Sequence, residues 1–211
     1  MLPRTHRLSL VSSFEGLAQT TELDQRHAMV WDTFEHMDAI CFAIMNSSTT
    51  STDRRAISNS VYHSEYRLSK LNDELTAIRN GQNLTKALAA AAQLFLHIFI
   101  RSLPASAPRH LRLFEKLRLL LESDEHEIGS LNSRPSLPIL LWMHFVGATD
   151  EGDSLSRGLH VLRLEQLCLE MGIDSYANFE RALKDVLWID EPGMTYAGKA
   201  WEDIWVGLEL R

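Results

Sequence analysis

Apolar residues recur along the first part of the chain at steps of three and four, the spacing that places side chains on one face of a helix. Between residues 23 and 45 this pattern runs through Val30, Phe34, Met37, Cys41 and Ile44. We therefore predict a helix there. The polar run at 46–52 consists of Asn, Ser and Thr, whose side chains compete for backbone hydrogen bonds and favour a solvated linker. Thr52 or Asp53 would then cap the next helix.

The most regular apolar spacing follows this linker and predicts a long helix. Its members alternate steps of four and three: Ile57, Val61, Ser64, Leu68, Leu71, Leu75 and Ile78. Such a stripe is either the seam of a coiled-coil homodimer or the inner face of a helix in an antiparallel bundle. Only about three heptads are present, and a seam normally extends further. We favour the bundle and keep the homodimer as the alternative.

Further helices are predicted to the end of the chain, at 84–101, 109–121, 139–148, 155–171, 176–188 and 197–206. Asn80-Gly81 would break the long helix, Asn83 and Ser175 would cap helix starts, and Gly172 would cap a helix end. The acidic stretch 122–127 is expected to be a loop. The helix at 139–148 is apolar on nearly every side, so it belongs in the middle of a core. The fold class is therefore all-α, a bundle of about eight helices in one domain, 1–211.

Composition agrees with helices and argues against nucleic-acid binding. Glycine and proline are sparse, at 10 and 6 of 211 residues, and the formal net charge is −7. Residues 1–134 carry 15 acids and 15 bases, whereas 135–211 carry 13 acids and 6 bases. Binding to phosphate backbones needs clustered lysine and arginine. The one basic stripe, Arg109, Arg112 and Lys116, is more typical of a solvated helix face.

Cysteine usage and hydropathy indicate a soluble, intracellular protein. Cys41 and Cys168 each fall within an apolar helical pattern, where cysteine behaves as a small buried hydrophobe. The first residues lack the long apolar core of a secretory signal. The most apolar run, 84–100, is interrupted by Lys86, Gln93 and His97 and is shorter than the ~20 apolar residues that a membrane span needs.

No motif in the sequence indicates catalysis. None of the nine histidines belongs to a His-Glu-x-x-His pattern, and no glycine-rich phosphate loop or nucleophile motif occurs. His144 is expected to be a core histidine bonded to a backbone carbonyl. We name no catalytic, cofactor-binding or metal-binding residue and expect no enzyme. The alternative is a metal-dependent helical enzyme that assembles scattered carboxylates from several helices.

The tryptophans near the C-terminus allow two interpretations. Trp201 and Trp205 are four residues apart on one helix face. They form either an exposed ridge for a protein partner or the closing end of the core. We favour the core.

Five segments in the C-terminal part carry a resemblance to a known family. Residues 140–148 read Leu-Leu-Trp-Met-His-Phe-Val-Gly-Ala, and an arginine-bearing helix follows around Arg157. Then come Gly-Ile-Asp-Ser-Tyr at 172–176, Leu-Trp-Ile-Asp at 187–190 and Gly-Lys-Ala-Trp-Glu-Asp-Ile at 198–204. In this order the segments resemble the end of the fungus-specific regulatory domain of zinc binuclear cluster transcription factors.

The resemblance extends upstream through earlier helices and departs from the family at a few positions. Arg-Ala-Ile at 55–57, Tyr-Arg-Leu at 66–68 and Ile-Arg-Ser-Leu-Pro at 100–104 are similar to segments of the same domain. The family-like part is then 53–211, preceded by the helix and Ser/Thr linker of 1–52. Gly158-Leu159 stands where the family tends to carry an aromatic residue, and Tyr176 replaces a frequent tryptophan.

The resemblance implies a non-catalytic regulatory domain in the nucleus. It would act allosterically on signals from protein partners of the transcription machinery or from a small effector. If a pocket exists, Phe95, Phe99, Trp142 and Phe145 could line it.

The family reads DNA through six closely spaced cysteines, whereas the two cysteines here are 127 positions apart. No direct DNA binding by this chain is therefore expected. The chain is expected to be a fragment of a longer regulator, a truncated gene product, or a stand-alone regulatory domain that acts through other proteins. A helical adaptor unrelated to transcription is the alternative.

Overall fold

The computed structural model describes residues 23–46, 51–76, 83–128 and 137–209. These residues form eight helices and no strand, which confirms the all-α prediction. The helices are α1 (Leu23–Asn46), α2 (Ser51–Thr76), α3 (Asn83–Phe95), α4 (Pro108–Ile128), α5 (Leu137–Gly147), α6 (Ser154–Met171), α7 (Tyr176–Lys184) and α8 (Asp190–Glu209). A single π-helical turn, Leu96–Ile100, continues α3 without a break.

Helices α3 and α5 form the centre of the bundle. All residues of α5 from Ile139 to Gly147 are buried, as the uniform hydrophobicity of this segment predicts. The ring of Trp142 lies in edge contact with Phe34 of α1 and in tilted contact with Phe95 of α3, each at 5.5 Å between ring centroids. Small alanine side chains let α3 pack closely against α1, α2, α4 and α5.

Helix α3 with its π turn also has the length and hydropathy of a membrane span. Over Asn83–Ile100, however, 78% of the window is buried inside the protein. Since a buried core helix meets the same criteria of length and hydropathy, its burial in the bundle accounts for its composition.

The regular stripe of α2 packs within the chain. Val61, Ser64, Leu68, Leu71 and Leu75 are all buried, against neighbours that include α1 and α3. The bundle interpretation is therefore confirmed, and the stripe does not form an exposed dimer seam. Ile78 and the Asn80-Gly81 break lie outside the described residues.

Two boundaries in the first half of the chain differ from the sequence-based expectation. Helix α2 begins at Ser51, so Thr52 and Asp53 lie inside the helix instead of preceding it. The stretch 122–127 is helical instead of forming a loop, because α4 continues to Ile128. Arg118 bonds both Glu115 and Glu122 at distances of 2.7–3.1 Å, and these pairs one turn apart support the longer helix.

The last two helices also differ from their predicted bounds. Helix α7 ends at Lys184 and α8 starts at Asp190. The segment between them is almost wholly buried, and the carbonyl of Leu187 accepts a hydrogen bond at 3.0 Å from the Trp142 indole. This non-helical carbonyl is available because the chain leaves the helix before it.

Two residues were predicted to cap α6 and α7, and only the first does so as expected. Gly172 caps α6 in the left-handed region, at φ 66°, as predicted. Ser175 occupies the N-cap position of α7, but its side chain makes no capping bond.

Replacing Trp142 with phenylalanine should destabilise the fold strongly. The W142F change leaves the buried Leu187 carbonyl without its donor and opens a cavity, which together cost about 2–4 kcal/mol. Urea unfolding monitored by circular dichroism measures this loss. Trp205 is 42% exposed and provides the matched control, because W205F should change stability by less than about 0.5 kcal/mol. Equal losses in the two variants would contradict the central role of Trp142.

Candidate binding site

A cleft of about 860 Å³ opens between α6, α8 and the turn that follows α5. Its α6 side carries Leu155, Leu159 and Leu162, and its α8 side carries Tyr196 and Lys199. The volume is in the range of ligand-binding clefts in proteins. The mixture of leucines with a few polar groups suits an amphipathic partner or ligand.

The solvent-facing side of α6 is unusually apolar. Leu155, Leu159, Leu162 and Leu169 are exposed to 73%, 39%, 46% and 65% respectively. Their spacing of four, three and seven places them on one helix face. Ser156, His160, Leu164 and Leu167 of the same helix are buried. Helix α6 is therefore apolar on two opposite faces, and the face away from the core is available to a binding partner.

Arg157 ties together the three elements that surround the cleft. Its Nε donates a hydrogen bond to the carbonyl of Ala148 at 3.2 Å, and its guanidinium forms an ion pair with Asp203. The arginine belongs to α6, the carbonyl follows α5, and the carboxylate belongs to α8. Both charged side chains are about one-third exposed, at 36% and 37%, so solvent screens the pair. Its main effect is to set the geometry of the cleft.

The turn at the base of the cleft is held by two local hydrogen bonds. Thr149 Oγ1 donates to the Val146 carbonyl at 2.7 Å, and the Gly152 amide donates to Asp150 Oδ1 at 2.8 Å. Burial raises the pKa of the Asp150 carboxyl, while the bonds from backbone amides oppose that shift. The turn is thus fixed by its own polar groups, whatever occupies the cleft.

Behind the leucine face, His160 of α6 contacts His144 of α5. The two Nδ1 atoms lie 3.0 Å apart, and both rings are buried. One ring must donate and the other accept, so the two Nδ1 atoms cannot both be protonated. Burial, followed by the neighbouring His160 and Arg163, holds the pKa of His144 well below its usual value. Burial, followed by Arg118, lowers the pKa of His160 to about 4.

The predicted partner of His144 was therefore wrong, although its core position is confirmed. The expected backbone carbonyl is replaced by a second histidine 16 residues away on another helix. The sequence offered no local signal for this pairing, because the two rings meet only when α5 and α6 pack.

The four aromatic residues suggested as pocket lining pack against one another in the core. Phe95 stacks on Phe99 at 4.7 Å, and Phe99 contacts Phe145 at 5.6 Å. Phe95 also contacts Trp142, and all four side chains are buried. None of them lines the cleft beside α6.

Of the two tryptophans in α8, Trp201 belongs to the core and Trp205 is exposed. Trp201 packs against Phe179 at 5.5 Å and closes that end of the core. Trp205 remains 42% exposed beside it.

The remaining candidate groups show no arrangement for chemistry. Lys116 of the basic stripe donates to Asn72 Oδ1 at 3.1 Å, while Arg109 and Arg112 are exposed. Both cysteines are buried, and burial raises the pKa of the Cys168 thiol to about 12. Within the described residues, no group of three His, Cys, Asp or Glu side chains could hold a metal ion. Comparisons with protein-family models, curated proteins and solved structures find no match for this chain.

Two glycines near the histidine pair should respond oppositely to alanine. A Cβ on Gly147 would lie 2.5 Å from His160 Nε2, whereas a Cβ on Gly158 would have no atom within 4 Å. G147A should therefore cost about 1–3 kcal/mol through overpacking. G158A should raise stability by about 0.5–1 kcal/mol, because alanine is the better helix former. Urea unfolding compares the two, and a stable G147A protein would contradict the tight packing of α5 on His160.

The buried histidine pair should make the protein less stable in mild acid. Its folded-state pKa values are lowered, so the unfolded chain binds more protons than the folded protein between about pH 6.5 and 4. The free energy of unfolding should fall as pH falls through this window. From pH 7 to pH 5, His160 alone should account for about 2 kcal/mol.

Urea unfolding at several pH values measures the slope. H160Q should flatten it, and measurement at pH 8 isolates any packing cost of the substitution. An unchanged slope in H160Q would show that His160 does not titrate as described.

Proposed function

We propose that this chain is a non-catalytic regulatory domain of a transcription regulator, of the kind found in fungal zinc-cluster factors, and that it works in the nucleus. It would act through a protein partner bound in the cleft between α6 and α8. The proposal rests on how the family-like segments are arranged in space.

The carrying observation is that these segments contact one another directly. The Trp142 indole donates to the Leu187 carbonyl across 45 residues. Arg157 joins the Ala148 carbonyl to Asp203 across a further pair of segments. If the family-like segments matched only by chance in their hydrophobic positions, polar bonds between them would not be expected. The first link lies in the core and the second lies at the cleft, and together they support a shared regulatory unit.

The aromatic residues of the same segments pack together as well. The ring of Tyr176 lies 6.5 Å from that of Trp201, and the ring of Trp188 lies 6.4 Å from that of Phe145. Trp188 Nε1 also donates to Asp190 Oδ1 at 3.0 Å, within the Leu-Trp-Ile-Asp motif. The closing motifs therefore hold α7 against α5 and α8 against α7, which positions the far wall of the cleft.

The chemistry of the cleft favours binding over catalysis. Its α6 wall is leucine-rich and solvent-exposed, and an amphipathic helix of a partner binds well in such a groove. The nearest imidazoles, His144 and His160, are buried behind that wall and bonded to each other. A partner that binds one relative position of α6 and α8 more tightly than another would shift the population toward it.

Charge supports an indirect role on DNA. The cleft lies in the part of the sequence, 135–211, that carries 13 acids and 6 bases. Such a surface repels the phosphate backbone, so contact with DNA would come from another segment or another protein. The alternative, a helical adaptor unrelated to transcription, would bind its partner in the same cleft. A transcription reporter assay distinguishes this adaptor from a regulatory domain.

Tethering the chain to DNA tests the proposal. A fusion of residues 1–211 to a heterologous DNA-binding domain should change transcription of a reporter by about fivefold or more, relative to that domain alone. The double variant L159E/L162E places two charges on the leucine wall and should abolish the change. Reporter output and fusion-protein level are measured together.

L169E is the matched control. Leu169 is a 65%-exposed leucine of the same helix but does not line the cleft, so this variant should retain the reporter change. Thermal unfolding confirms that all variants fold. A wild-type fusion without any effect on transcription would favour the adaptor. Equal effects of L159E/L162E and L169E would exclude the cleft as the partner site.

A further inference from the structure

Gly158 lies in the leucine-rich wall of the cleft between α6 and α8, where no contact within the described residues requires a glycine. A Cβ on it would have no atom within 4 Å, and it lies inside α6 with an ordinary negative φ. A glycine inside a helix costs about 0.5–1 kcal/mol relative to alanine. Nothing in the packing or the backbone of this domain offsets that cost, so the open space over Gly158 points to a contact outside it.

A glycine at this position lets a second helix come close to α6. Leu155, Leu159 and Leu162 line the cleft on the same wall. Helices pack with their axes about 8–10 Å apart, and the shorter separations need small side chains at the crossing point. A helix that crosses α6 at Gly158 can therefore place its own apolar side chains among the three leucines. Close approach of two backbones favours a helical partner over a small molecule.

The charges around the cleft favour a basic partner. Arg157 is paired with Asp203, and Lys199 Nζ lies over the Tyr196 ring at 5.8 Å from its centroid. Glu151 also lines the cleft, is exposed, and forms no ion pair with the residues that the structure describes. A lysine or arginine on the partner would complement this carboxylate and select the orientation of the bound helix.

We propose that the occupant of this cleft is a basic amphipathic helix of the partner protein, which crosses α6 at Gly158. Its apolar face packs among the leucines of α6, and a lysine or arginine pairs with Glu151. This inference rests on the proposed function for the choice of the cleft, and it adds the chemistry of the partner. It is measured on the purified chain, separately from any reporter.

Three synthetic peptides of about 18 residues test the proposal. The first has leucines at helical spacing and lysines at its other positions, and the second has glutamates in place of the lysines. The third is the lysine peptide with a proline at its centre, which interrupts the helix. At about 0.15 M NaCl the lysine peptide should bind the full chain at least about tenfold more tightly than either of the others. Isothermal titration calorimetry gives the affinities.

Two matched pairs of variants locate the peptide. E151K should weaken binding of the lysine peptide at least about fivefold, whereas E202K, at an exposed acid of α8 outside the cleft, should leave it unchanged. G158L should weaken binding about tenfold, because its side chain fills the space over α6. G198L is the control, since a Cβ on Gly198 also has no atom within 4 Å and Gly198 does not line the cleft. Thermal unfolding should show both leucine variants at least as stable as the wild type.

Several results would overturn the proposal. Equal affinities for the lysine and glutamate peptides would exclude a basic partner, and an equal affinity for the proline peptide would exclude a helical one. Equal effects of G158L and G198L, or of E151K and E202K, would exclude this cleft as the peptide site, as would no saturation up to about 1 mM. A dimer of the wild-type chain that G158L dissociates, detected by sedimentation, would assign the cleft to a second copy.

The peptide titrations also separate this inference from the proposed function. If the peptide results hold and the tethered fusion leaves the reporter unchanged, the helix-binding cleft stands and the transcriptional role fails. If the reporter responds and the lysine peptide shows no preference, the regulatory role stands and the basic helical partner is excluded.

Discussion

The hydrogen bond between the Trp142 indole and the Leu187 carbonyl is the interaction on which the C-terminal half depends. Helix α5 is buried on every side, so nothing in its hydrophobic pattern selects one orientation over another. A buried indole N–H must find an acceptor. The Leu187 carbonyl, at 3.0 Å, is free to accept because no helical amide is bonded to it after the end of α7. Together with the His144–His160 bond on α6, this contact fixes the orientation of α5 in the bundle.

Helix α6 transmits this arrangement to the surface. Its inner face packs on α5 through His160, and its outer face presents exposed leucines. Arg157 then connects the end of α5 to Asp203 of α8. Packing in the core and the width of the surface cleft are thus mechanically linked.

Much of the fold could be predicted from local pattern. The regular spacing in α2 and the uniform hydrophobicity of α5 each identified a helix and its buried face. One predicted helix end failed where a long-range contact forms, because the Leu187 carbonyl accepts from a tryptophan 45 residues away. Another failed where a local ion pair, Arg118 with Glu122, lies at the point where α4 enters the acidic stretch.

Prediction of the sites was poorer. The histidine pair and the exposed leucine face of α6 depend on packing between helices. No spacing along a single helix encodes that packing. The aromatic residues that looked like pocket lining instead fill the core, because large rings are as useful for packing as for binding.

The burial of α3 also has a consequence for biosynthesis. This helix is apolar enough to enter a membrane, and it escapes solvent only through contacts with helices on both sides of it in sequence. Helices α1 and α2 are synthesised first and cover part of its surface. The rest stays open until α4 and then α5 have left the ribosome. During that interval part of the apolar surface of α3 is exposed to solvent.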